Sequence, residues 1–277
     1  MGKRKRKRLG QHFLVDGNIC RRMVRTVNLV PQDAVLEIGP GRGALTRVLL
    51  ETGVRVLAVE VDAELVDHLT AQFVHEIQSG KLILVTDDIL KTDLEALCRQ
   101  VRPDGLLRVF GNLPYNIATA VIQRLIEYRT HFSDMTLMLQ REVAERILSP
   151  PGNKQYGYLS VVVQYHCEGK KLFHVHPAVF RPIPKVMSTV VHLRFRHQPA
   201  VSVEDEMLFF QLVSALFTER RKTVLNNLKR AARRFRLVDP EKSLRDAHID
   251  PTRRAETLSL EEFARLANQL SRSGCRV

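Results

Sequence analysis

Apolar residues along this chain follow two patterns, and the change from one to the other divides it. Between residues 34 and 195 short apolar runs alternate with helical stripes. Runs at 35–38, 54–59, 82–85, 106–110 and 135–139 are almost wholly apolar, the signature of strands buried on both faces. Between them the spacing predicts helices. The first runs from about residue 17 to 28 behind Asp16 as a cap, with Ile19, Met23, Val24 and Val27 on one face. Others carry Leu45, Val48 and Leu49, or span 94–101, 118–127 and 142–148. Pro150-Pro151-Gly152-Asn153 breaks the pattern. Segments 159–165, 171–175 and 188–195 are rich in valine and alternating residues and read as strands, with His174 and His176 along a strand face. Strand–helix alternation with strands added late predicts an α/β protein whose sheet is mostly parallel.

After His197-Gln198-Pro199 the strand-like runs stop. Residues 206–217 form an apolar helical stretch. Residues 220–236 hold Arg220, Arg221, Lys222, Lys229, Arg230, Arg233, Arg234 and Arg236 with no acid, over a stripe of Val224, Leu225, Leu228, Ala232 and Phe235. That is an amphipathic helix with a basic face. Ser259-x-x-Glu262 is a capping box for a last helix. The expected domains are 1–197, an α/β domain with a basic arm, and 198–277, a small all-helical domain.

Charge sharpens this picture. The 277 residues carry a formal net charge of +13, and Lys3 to Arg8 are all basic. Such an excess points to nucleic acid before a membrane surface. Cys20, Cys98, Cys167 and Cys275 are scattered, so neither a disulfide framework nor a zinc site is expected. No metal-type histidine spacing, membrane-length apolar stretch or signal-peptide core is visible. The expectation is a soluble cytoplasmic protein without a metal and without an obligate protein partner.

Two stretches carry candidate chemistry. The strand at 35–38 runs into Gly39-Pro40-Gly41-Arg42-Gly43 and then a helix, and the next strand ends at Glu60, 21 residues after Gly39. Glycine lets the backbone approach a ligand, and an acid at that strand end accepts ribose hydroxyls. The pattern fits a dinucleotide site or an S-adenosylmethionine site. Glu37 favours the latter, because a carboxylate facing the turn suits an ammonium and a sulfonium better than a phosphate. At the third strand's end, one of Asp87 and Asp88 is placed to bond an adenine amino group, or to cap a helix. The second stretch is Gly111-Asn112-Leu113-Pro114-Tyr115, just past a strand. An amide, a rigid turn and an aromatic face would hold a planar base bearing an amino group. An ordinary strand-to-helix turn over a buried tyrosine is the plain alternative. In Phe180-Arg181-Pro182-Ile183-Pro184-Lys185, Phe180 is either an exposed stacking ring or a core residue.

Gly10-Gln11-His12-Phe13-Leu14, Glu37-Ile38-Gly39-Pro40-Gly41, Asn112-Leu113-Pro114-Tyr115-Asn116 and Phe180-x-Pro182-x-Pro184-Lys185-Val186, in this order, resemble the rRNA adenine N6,N6-dimethyltransferase family over nearly the whole chain. The resemblance implies a seven-stranded Rossmann-like methyltransferase sheet with a helical C-terminal domain. It implies transfer of methyl groups from S-adenosylmethionine to two adjacent adenines in a hairpin near the 3′ end of small-subunit (16S) rRNA, within a pre-ribosomal particle. Gln11, His12, Leu14, Glu37, Gly39, Gly41, Glu60, Asp88 and Asn112 would border the cofactor. Asn112 and the Pro114 carbonyl would accept the two N6–H bonds, and Tyr115 and Phe180 would stack the base. Arg220, Arg221, Lys222, Lys229, Arg230, Arg233 and Arg234 would bind RNA. His12, Ala118 and Met187 depart from the residues frequent in the family at those positions. The large-subunit rRNA methyltransferases of macrolide resistance, related mitochondrial transcription factors, and an NAD-dependent oxidoreductase are the competing readings.

Overall fold

The structure, a computed structural model, describes residues 12–102 and 104–274; Gln11, the basic run before it and Cys275 lie outside the described residues. Contacts sort the chain into two compact units. One combines residues up to Ala144 with Gly169–Phe195, and the other combines Glu145–Glu168 with the residues from Arg196 onward.

The first unit is built on strands β1 (Phe13–Leu14), β2 (Ala34–Ile38), β3 (Arg55–Glu60), β4 (Leu82–Thr86), β5 (Leu107–Asn112), β6 (Phe132–Gln140), β7 (Cys167–Val175, of which the part from Gly169 belongs to this unit), β8 (Phe180–Arg181) and β9 (Ser188–Phe195). Seven of them form one sheet in the order β4-β3-β2-β5-β6-β9-β7. The five from β4 to β6 run parallel, and β9 lies antiparallel to β6. All five residues of β2 are buried, which is why the strand reads as a continuous apolar run. Register places Ile38 opposite Val59 on one side and Gly111 on the other, so the ends of β2, β3 and β5 lie side by side. β1 and β8 form a separate two-stranded pair, with Leu14 opposite Phe180. Leu14, Phe180, Phe110 and Met138 join one apolar core with Cys20, Met23 and Val24 of helix Gly17–Arg25.

The second unit has its own core. Leu208, Leu212 and Leu216 of helix Glu206–Leu216 pack with Phe235, Leu244, Phe263 and Leu266. Ser259 and Glu262 form the expected capping box. Two expectations are corrected here. Residues 159–165 are not a strand; they lie in helix Tyr158–His166, whose Val161 and Tyr165 belong to this helical core. A helix enclosed on nearly every side has no polar stripe, so its valine run reads the same in either form. The division expected at residue 197 therefore differs from the contact units, which group 145–168 with the helical tail. Residues 220–236 are also not one helix. The helix covers Val224–Ala231 behind the Thr223 cap, with turns on either side.

A candidate methyl-transfer cleft

The chain runs outward from β2 through β3 to β4, then crosses back to β5 and β6. Open α/β sheets bind ligands where the strand order reverses in this way, outside the carboxyl ends of the strands. A solvent-open cleft of about 830 Å³ lies there, lined by His12, Gly39, Gly41, Glu60, Asp88, Asn112, Pro114 and Tyr115 among others. An adjoining cavity of about 40 Å³ shares Phe13, Gly39, Gly41 and Asn112 and adds Leu14 and Glu37.

The glycine turn is clasped to its neighbours. Gly39 donates from its N–H to the Val59 carbonyl at 3.0 Å. Its φ is +65°, and a Cβ added there would meet nothing within 4 Å, so the backbone faces open space that a ligand can enter. Glu60 accepts from the Gly41 N–H at 3.1 Å, and from the Val61 and Asp62 N–H groups at 2.9 and 3.1 Å. A carboxylate has about four acceptor positions, so capacity remains for a ribose. Burial raises its pKa and these N–H donors oppose the rise. Asp88 accepts from the Leu90 N–H at 3.0 Å. The cap of helix Leu94–Val101 is Asp93, so neither Asp87 nor Asp88 is spent on that task.

Glu37 is the anomaly. It is 1% exposed, and neither carboxylate oxygen has a hydrogen-bond partner. Burial pushes its pKa up to about 8, and the nearby Glu60 charge adds to the rise. Thr46 beside it favours the charged form without closing a bond of good geometry. A buried carboxyl without a partner is costly, and one lining a small cavity beside the ligand cleft fits the cationic end of a ligand. The open space at Gly39, the acceptor Glu60 and the unpartnered Glu37 therefore fit the S-adenosylmethionine implied by the resemblance.

On the other side of the cleft the Asn112 amide is held in one orientation. Its Nδ2 donates to the His12 carbonyl at 3.0 Å, and its carbonyl oxygen has no partner among the described residues. His12 is held in turn, its Nδ1–H donating to the Pro182 carbonyl at 2.7 Å. The Leu113 N–H bonds the Met138 carbonyl at 3.1 Å. Tyr115 is partly exposed, and its hydroxyl lies 3.1 Å from that of Ser188, a fully buried residue at the start of β9.

Two expected roles are not supported. The Pro114 carbonyl already accepts from the Ile117 and Ala118 N–H groups, both at 3.1 Å, which uses its two lone pairs. The Leu113 carbonyl has no donor among the described residues, and Leu113 lines the cleft. Sequence reasoning passed over Leu113 because a leucine side chain advertises nothing about its own carbonyl. Phe180 is fully buried in the core opposite Leu14 and offers no face to a base. Gln11 lies outside the described residues.

In the helical unit the basic stretch divides by its partners. Arg220 donates to the Tyr156 carbonyl at 2.9 Å, to the Lys154 carbonyl, and to Glu256 at 3.1 Å. Arg230 pairs with Glu219, and Arg234 donates to Gln211 at 2.6 Å. Arg221, Lys222, Lys229 and Arg233 are exposed and have no carboxylate partner among the described residues. Sequence could not separate these groups, because Glu219 and Glu256 lie outside the acid-free run.

An acceptor amide facing a cavity that carries an unpaired acid rather than a phosphate cradle defines the class: a Rossmann-like methyltransferase. Residues 2–272 match the family model described as ribosomal RNA adenine dimethylase, and the chain belongs to that family. It is thus an rRNA adenine dimethyltransferase. It is 44% identical over 262 residues to the ribosomal RNA small subunit methyltransferase A of Magnetococcus marinus, covering 95% of this chain and 90% of that one. The protein of the same name from Saccharophagus degradans is 44% identical over 270 residues, covering 97% and 96%. Among solved structures, a dimethyladenosine transferase from Plasmodium falciparum superposes with a TM-score of 0.77 at 25% identity, covering 95% of this chain and 99% of that one. The 23S rRNA methyltransferase ErmE gives 0.69 at 25% identity, covering 94% and 99%. No helix among the described residues is long and apolar enough to cross a membrane.

Two expected outcomes follow from this geometry. The Glu37 carboxyl titrates at 4.5 when unperturbed and near 8 when folded, so the folded protein keeps a proton that the unfolded chain gives up. Stability conferred by the neutral form is present below the unfolded value and is lost as pH rises toward the folded value. Glu37→Gln removes this titration. Its stability relative to the parent, followed by the melting temperature, should rise between roughly pH 5 and pH 8, by up to about 1.4 kcal/mol of unfolding free energy per pH unit; a difference independent of pH would contradict the assignment. Tyr115→Phe and Ser188→Ala each break the same hydroxyl pair. Their effects on kcat should therefore not add, with a coupling energy of about 0.5 kcal/mol or more. Additive losses would mean that the two residues act separately.

Proposed function

We propose that this protein transfers methyl groups from S-adenosylmethionine to N6 of two adjacent adenines in the hairpin near the 3′ end of small-subunit (16S) rRNA. The products are N6,N6-dimethyladenosines, made on a pre-ribosomal particle in the cytoplasm. The pinned Asn112 amide carries this reading. With its Nδ2 held by His12, the side-chain carbonyl is left to accept an exocyclic amine N–H. The chain-long relatives named small subunit methyltransferase A favour the small-subunit substrate.

Bound across Gly39, Glu60 and Glu37, S-adenosylmethionine would supply an electrophilic methyl group on a sulfonium. The chain does the rest by placement. Adenine N6 is a weak nucleophile because its lone pair is delocalised into the ring. The Asn112 carbonyl accepts one N6–H and the Leu113 carbonyl, in place of Pro114, accepts the other. Two acceptors turn the lone pair out of the ring plane and aim it at the donor. Tyr115 stacks the base. Holding the reactants in near-attack geometry can supply most of the acceleration. No strong base is needed, because the nitrogen becomes acidic once alkylated and then loses its proton. The base must leave its stack, at a cost of a few kcal/mol, and a hairpin loop lowers that cost. Arg221, Lys222, Lys229 and Arg233 grip phosphates, while Arg220 and Arg230 hold the helical unit together.

Asn112→Ala tests the catalytic reading. It should keep useful donor affinity and lose methyl transfer by about two orders of magnitude or more, the range for a removed transition-state contact. Full activity would refute it. Charge reversal at Arg221, Lys222 and Arg233 should weaken particle binding without lowering the melting temperature or donor affinity. Arg220→Ala should lower the melting temperature instead. A loss of particle binding for Arg220→Ala alone, at unchanged stability, would reverse this division.

A further inference from the structure

Helix Gly17–Arg25 buries Cys20, Met23 and Val24 and turns Arg21, Arg22 and Arg25 outward. It contains no acid. The acid just before it, Asp16, is engaged as the cap and accepts from the Asn18 N–H at 2.8 Å. Among the described residues none of the three arginines has a carboxylate partner. They line, with Asn18 and Thr26, a shallow depression open to solvent.

Two of the three side chains are already ordered. Arg21 donates to the Asn18 side-chain carbonyl at 2.9 Å. The Arg22 guanidinium lies over the Phe173 ring, 4.0 Å from its centroid. On β7, Lys171 stands two residues before Phe173 and so on the same strand face, and it is exposed. Favourable charge at a helix end accounts for Arg22 and Arg25 in part. It does not account for Arg21 and Arg25 one turn apart, where like charges repel. A repulsive cluster in which two of three guanidinium groups are held fits an anionic partner with spaced phosphates, and holding those two beforehand lowers the entropy lost on binding.

We propose that Arg21, Arg22 and Arg25 form a phosphate-binding surface for the rRNA backbone, carried by the methyltransferase unit and additional to the basic stretch at 220–236. The proposal rests on rRNA as the substrate, and its test separates the two. Binding to small-subunit particles lacking the modification is measured against salt for the parent and for the double variant Arg21→Glu, Arg25→Glu. Each lost phosphate contact removes roughly 0.7 to 0.9 from the slope of log affinity against log salt. The double variant should lose one to two such steps and bind about tenfold or more weakly at fixed salt. Its S-adenosylmethionine affinity should not change, and naked small-subunit rRNA should show the same loss as the particle. An unchanged slope overturns the proposal. So does an equal loss when the same charge change is made at exposed Lys81 and Arg99, which would reflect net charge alone. A loss seen with particles but not with naked rRNA also overturns it, by pointing to a protein contact. Failure of the parent to bind the particle at all would count against the substrate reading instead.

Discussion

The bond from the Asn112 amide to the His12 carbonyl is the constraint on which the site depends. It joins the end of β5 to the segment entering β1, and His12 passes the tie on to Pro182 at the β8 turn. Three segments distant in sequence are thereby fixed around one amide. The consequence is chemical. With Nδ2 turned toward His12, the Asn112 carbonyl oxygen has no partner among the described residues, and an acceptor is what an exocyclic amine requires. A freely rotating asparagine would offer donor and acceptor alike and would specify neither the base nor the direction of its lone pair.

The opposite wall is governed by charge. Burial raises the pKa of both acids, but three backbone N–H donors oppose the rise at Glu60, whereas Glu37 has only Thr46 beside it, closes no bond of good geometry and is pushed up to about 8. Two carboxyl groups at the ends of neighbouring strands are thus given different tasks by their surroundings. One is set among backbone donors, with acceptor capacity left for hydroxyl groups. The other waits, neutral and buried, for a cation to make its ionised form worthwhile.

Much of the architecture was legible because β2, β3, β5 and β6 are mostly buried strands with continuous apolar runs, because the half-buried edge strand β4 keeps such a run, and because the helices between them carry stripes. The error at 159–165 came from the same rule: a fully enclosed helix also loses its polar face. In the site, Gly39, Glu60 and Asn112 could be found because their side chains, or the lack of one, announce their chemistry. Leu113 could not, since what matters is a carbonyl left free when the next residue's carbonyl turns into the following helix. Phe180 was ambiguous in sequence, and its pairing across β1 and β8 places it in the core. The basic stretch showed its charge but not its division of labour, because the acids that occupy Arg220 and Arg230 come from outside it.

The most direct test is transfer of labelled methyl from S-adenosylmethionine to small-subunit particles lacking the modification, followed by mapping of the labelled bases. The account predicts N6,N6-dimethyladenine at two adjacent positions near the 3′ end of the small-subunit rRNA. Label in large-subunit rRNA, or particles bound without transfer, would contradict it.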